Sequence, residues 1–141
     1  MILVINTTDN EKIAIALIKS DGNLISEKIF SAKFQHSEKL LPEIASLLKE
    51  NKVKLGSLKG IIVASGPGGF TALRIGIMTA NALAFALEIP VVGVKLNELI
   101  GLKELIKFGL KKFKKVKKYS VVLPYYGREP HITKPKKKIW S

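Results

Sequence analysis

Residues 71–87 constrain the fold of this chain more than any other stretch. Between Ala72 and Leu87 the only polar side chains are Arg74, Thr79 and Asn81. A helix that is apolar nearly all round has to be covered on more than one side. Its flanks narrow the choice. Gly60–Ala64 and Val91–Val94 are short apolar runs, the pattern of strands buried in the middle of a sheet. Ser65-Gly66-Pro67-Gly68-Gly69-Phe70 is a tight loop into the helix, and Pro90 ends the return connection. Ala72, Gly76, Ala80 and Ala84 recur at every fourth position, so a second helix could approach closely. That stripe reads as a subunit interface, with Arg74 and Ile77 beside it, or as tight packing within one domain.

The first half of the chain supplies the rest of a sheet. Ile2–Ile5 is a buried-strand run, Asn6-Thr7-Thr8-Asp9-Asn10 a turn, and Lys12–Lys19 a second strand rich in β-branched residues. Asp21-Gly22-Asn23 is a hairpin signal, and Leu24–Phe30 is the third strand of an antiparallel meander. Leu40, Leu41, Ile44, Leu47 and Leu48 then recur at helical spacing. Ser37 is the expected cap and Glu38 lies in the first turn, while Pro42 predicts a late start or a kink. Beyond Val94, Asn97 is expected to cap a helix over residues 98–107, and residues 119–123 to form a short strand. The order β-β-β-α-β-α-β-α predicts an α/β fold with a mixed sheet.

Charge divides the chain. Residues 1–102 hold 11 Lys+Arg and 9 Asp+Glu, whereas residues 103–141 hold 13 and 2. We expect a lobe over residues 1–107 and a basic remnant over residues 108–141. Six lysines fall within residues 111–118, among them Lys114, Lys115, Lys117 and Lys118, with aromatic residues nearby. This suits RNA, through phosphate contact and base stacking, or a solvated linker. There is no cysteine, which excludes disulfides and thiolate metal sites and fits a cytoplasmic protein. The opening residues lack the pattern of a signal peptide, and no stretch approaching 18 apolar residues is expected to span a membrane.

Candidate catalytic groups are few. The loop Gly66–Thr71 opens onto a helix N-terminus, where free N–H groups hold anions. Gly66, Gly68 and Gly69, and Asn6, Thr7 and Thr8 in the turn after the first strand, are the candidate nucleotide-proximal residues. The other reading is a strand-to-helix turn with unusual backbone angles. Neither G-x-x-x-x-G-K-[ST] nor G-x-G-x-x-G is present. His36 and His131 do not make a three-ligand zinc site, so His36 reads as a helix-flanking residue. Asp9 and Glu11 read as solvated turn residues, and no Ser/His/Asp arrangement is identifiable.

Gly66-Pro67-Gly68-Gly69-Phe70-Thr71-Ala72-Leu73-Arg74-Ile75-Gly76 closely resembles the GPGSFTGLRIG signature of TsaB proteins. Ile2–Thr8, the segment His36–Pro42, the segment Ala80–Val94 and Pro124-Tyr125-Tyr126-Gly127-Arg128 resemble further elements of that family in the same order. The resemblance implies an actin-like, ribonuclease-H-like lobe with three antiparallel and two parallel strands. It also implies a non-catalytic scaffold subunit for making N6-threonylcarbamoyladenosine next to the anticodon of tRNAs that read ANN codons. The catalytic partner would be a TsaD-type subunit, joined by a TsaE-type ATPase. ATP and metal would belong to those partners, and self-association is a further expectation. Two departures stand out. Family members carry a second lobe between the Val91–Val94 strand and the Pro124–Arg128 element, where this chain has about two dozen residues. Asn6 also occupies the position of a metal-orienting Asp. Two other readings are a degenerate kinase of the same fold and a small basic RNA-binding module. On the interface reading, Gly76→Leu is expected to abolish partner binding while the monomer stays folded.

Overall fold

The computed structural model describes residues 1–96, 101–116 and 120–126. The apolar runs form strands β1 (Ile2–Asn6), β2 (Lys12–Ile18), β3 (Leu24–Ser31), β4 (Gly60–Gly66) and β5 (Val91–Lys95). The helices are α1 (His36–Glu50), α2 (Phe70–Leu87) and α3 (Leu102–Phe113). Strand order is β3-β2-β1-β4-β5. β1 to β3 pair antiparallel, while β4 runs parallel to β1 and β5 parallel to β4. This is the mixed five-stranded sheet of an actin-like, ribonuclease-H-like lobe.

Strand side chains alternate between the two faces of the sheet. Leu3, Ile5, Ile61 and Val63 point to one face, where α1 adds Leu40, Ile44 and Leu47, and α2 adds Leu73, Ile77 and Ala80. Ile2, Val4, Ile62 and Ala64 point to the other, where α3 adds Leu105 and Ile106. The described residues thus form a three-layer sandwich with α1 and α2 on one side and α3 on the other. β1 and β4 are covered on both faces, which is why they read as unbroken apolar runs. β3 lies at the edge and alternates. Its Lys28 reaches Glu43 and Glu50 of α1 at 3.1 and 3.2 Å, partly exposed ion pairs that contribute little to stability.

Four local expectations need correction. α1 begins at His36 and runs through Pro42 without a late start, and no side chain caps it. Pro42 removes one N–H from the helix, and burial of Leu40, Ile44 and Leu47 outweighs that loss. The last helix occupies residues 102–113 instead of 98–107, with Gly101 as its N-cap. Its apolar stripe decides the position, because Gly109 sits where a Cβ would lie 2.5 Å from Ile62 Cδ1. Glu104 accepts the Gly101 N–H at 3.1 Å, and this bond holds its carboxyl below the ordinary carboxylate pKa. The expected cap Asn97 lies outside the described residues. The boundary drawn between residues 107 and 108 therefore falls inside α3. Residues 120–126 form no strand, and Tyr119 lies outside the described residues. Finally, among the described residues α2 alone has the length and mean hydropathy, 18 residues at 1.5, of a membrane-crossing helix. Both its ends feed parallel neighbours of one sheet, so it is a β-α-β crossover helix.

Candidate functional site

Where β1 ends, Asn6 turns the chain. Its Oδ1 accepts hydrogen bonds from the Thr8 N–H at 3.0 Å and the Thr8 hydroxyl at 2.7 Å. Asp9 repeats the device, accepting from the N–H groups of Glu11 and Lys12 at 2.7 and 3.2 Å. Buried His36 has Nε2 3.0 Å from the Asp9 carbonyl. A carbonyl oxygen only accepts, so Nε2 carries the proton, and the imidazole ties α1 to this turn.

The structure brings the turn and the glycine loop together, backbone against backbone. A Cβ on Gly68 would lie 2.8 Å from Thr8 Cα, and one on Gly69 would overlap the Asn10 side chain. Gly66 has φ +129°, which glycine adopts without strain, and a Cβ there would overlap the Tyr125 carbonyl. Thr7 is fully buried, with no hydrogen-bond partner for Oγ1 among the described residues, and it faces Gly76 of α2. A metal-bound nucleotide, which an actin-like lobe implies, needs anionic oxygen ligands. Asn6 is neutral and its oxygen is taken by Thr8. Among the described residues no three His, Asp or Glu side chains cluster. The residues present do not fit that group.

On α2 the interface expectation needs revision. Ala72, Gly76, Ile77, Ala80 and Ala84 are all buried against the chain's own core. Small residues let the helix lie close to the sheet, so the stripe is internal packing. Arg74 is exposed, and it belongs to the opposite stripe. There Phe70, Met78 and Phe85 are 60%, 63% and 70% exposed. Arg74 lies over the Phe70 ring, 5.1 Å from its centroid. A groove of about 420 Å³ between α1 and α2 is lined by Leu41, Ile44, Leu48 and Leu83.

The segment 120–126 straps across α2, which sequence reasoning missed. Asn81 donates to the Val122 carbonyl at 3.0 Å and accepts the Val122 N–H at 2.9 Å. The Tyr125 N–H donates to the Ser65 carbonyl at 2.7 Å. Tyr126 stacks on Phe70 with centroids 4.8 Å apart. The available signal was Asn81 itself, a lone amide on an apolar helix. Asn81→Leu is expected to free the strap at a cost of about 1–3 kcal/mol, since both Val122 backbone groups lose their partner. Hydrogen exchange at Val122 and Tyr125 should rise while β1 and β4 stay protected.

Of the candidate RNA lysines, Lys114 and Lys115 are exposed just past α3, and Lys117 and Lys118 lie outside the described residues.

A family model described as TsaD, tRNA N6-adenosine threonylcarbamoyltransferase, matches residues 24–112. The chain belongs to this family. Several of the relatives it matches are named TsaB, and another, 41% identical over 113 residues, is the tRNA N6-adenosine threonylcarbamoyltransferase of a Nitratiruptor species. The tRNA threonylcarbamoyladenosine biosynthesis protein TsaB of Bacillus subtilis is 38% identical over 99 residues, 70% of this chain and 42% of that protein. The TsaB of Buchnera aphidicola from Acyrthosiphon pisum is 27% identical over 133 residues, 90% of this chain and 55% of that protein. YeaZ from Pseudomonas aeruginosa is similar in structure, with TM-score 0.60 and 34% identity over 67% of this chain and 44% of that one. The chain thus spans about half the length of the TsaB relatives it matches, and it is a TsaB-family member.

Proposed function

We propose that this chain is a non-catalytic scaffold subunit in N6-threonylcarbamoyladenosine biosynthesis on tRNA. It pairs with a TsaD-type catalytic subunit and activates it. The carrying observation is the exposed stripe Phe70, Arg74, Met78 and Phe85, on a helix whose other side is spent on the core. Large apolar side chains around one arginine are the composition of an interface centre. The family model and the TsaB names support the pathway. Self-association would use the same stripe and compete with the partner. ATP and metal belong to the TsaD-type subunit and a TsaE-type ATPase. Asn6 favours this reading over a degenerate kinase, because an amide supplies no charge to orient a metal.

The test is reconstitution with tRNA, threonine, bicarbonate and ATP, read as modified nucleoside. The chain alone should yield none. A TsaD-type subunit with its other partners should yield at least ten-fold more when the chain is added. ATP turnover by the chain alone, abolished by a change in Asn6–Thr8, would instead favour the kinase.

A further inference from the structure

Among the described residues α3 is the helix on its side of the sheet, and its outer face is strongly basic. Residues 101–116 contain six lysines and one carboxylate, Glu104. Lys103, Lys107, Lys111 and Lys114 are all exposed. Their helical spacing places them within an arc of about 80° and along about 16 Å of helix. Lys112 is spent elsewhere, donating at 2.6 Å to the Gly93 carbonyl of β5. Asp21, from the β2–β3 turn, is the carboxylate that shares a groove with Lys103 and Lys107. Phe108, 37% exposed, is the large apolar side chain beside the stripe.

We infer that the outer face of α3 is a contact surface for the RNA phosphate backbone. One chain then carries its protein partner on the α2 layer and RNA on the opposite layer. Three physical points select the occupant. A membrane-surface helix needs a free apolar face, and that of α3 is buried through Leu105, Ile106 and Gly109. Protein interfaces centre on apolar anchors and are depleted in lysine, the reverse of this face. A row of single-sign point charges matches a uniformly charged polyanion, and Phe108 offers a ring on which an unpaired base can stack. That the RNA is tRNA rests on the function proposed above; the phosphate contact does not.

The experiment titrates the full 141-residue chain with an unmodified tRNA transcript, and with an unrelated RNA of the same length, at several salt concentrations. Counterion release contributes about 0.7–0.9 to the log–log salt slope for each phosphate neutralised. Changing Lys103, Lys107, Lys111 and Lys114 together to Gln should reduce the slope by about 3 and weaken both RNAs alike. The matching four-Arg variant should bind like wild type. All four side chains are exposed, so the melting curve should not move. Equal slopes for wild type and the four-Gln variant would overturn the inference, placing any RNA contact elsewhere. Binding to acidic lipid vesicles with none to RNA would overturn it as well. Pairing with the TsaD-type subunit is measured separately without RNA, so the two readings fail independently.

Discussion

Gly76→Leu is expected to destabilise the isolated chain by about 3 kcal/mol or more, lowering Tm by roughly 10 °C. Even the first side-chain carbon would overlap Thr7 Oγ1. Thr7 cannot retreat easily, since it is fully buried in the turn that Asn6 holds through Thr8. Helix, turn and glycine loop would all have to separate. Gly76→Ala should show a smaller loss by the same mechanism, partly restored by Thr7→Gly. Thr7→Val, which replaces a buried hydroxyl with no partner by a methyl group, should be neutral or mildly stabilising. Thermal melts of the single and double variants measure the coupling. If Gly76→Leu melts like wild type and loses only partner binding, the small-residue stripe is an interface after all and the packing described above is wrong.

Met78→Glu with Ala82→Glu should have the opposite signature. Both positions are exposed on the outer stripe of α2, and Glu is a good helix former, so the fold should lose less than about 1 kcal/mol. Binding of the TsaD-type subunit should fall by at least a hundred-fold. Losing an apolar anchor at an interface centre costs about 2–4 kcal/mol, and two buried carboxylates add to that. Calorimetric titration of the partner, alongside the melting curve, separates the effects. Unchanged affinity would exclude this face. A loss confined to self-association, with partner affinity intact, would make the stripe a homodimer contact.

Much of the architecture was legible because periodicity reports burial directly. Ile2–Ile5 and Gly60–Ala64 read as buried strands, and both are covered on two faces. Leu40, Ile44 and Leu47 read as one helix face, and they pack on the sheet. Element boundaries were less legible. The end of β5 and the start of α3 depend on which turn of an amphipathic stretch meets Ile62, a contact distant in sequence.

The glycine loop, the crossover helix and the basic C-terminal third could be read from local sequence, since composition and spacing are local properties. Which side of α2 faces outward could not. An all-apolar helix has no polar face to mark its exposed side, so only the surfaces packed against it decide. The meeting of Gly76 with Thr7, 69 positions away in sequence, spent the small-residue stripe inside the molecule. That left Phe70, Arg74, Met78 and Phe85 outside. The docking of Val122 onto Asn81 was equally invisible, because two hydrogen bonds across 41 residues form only after the β4-α2-β5 unit has closed.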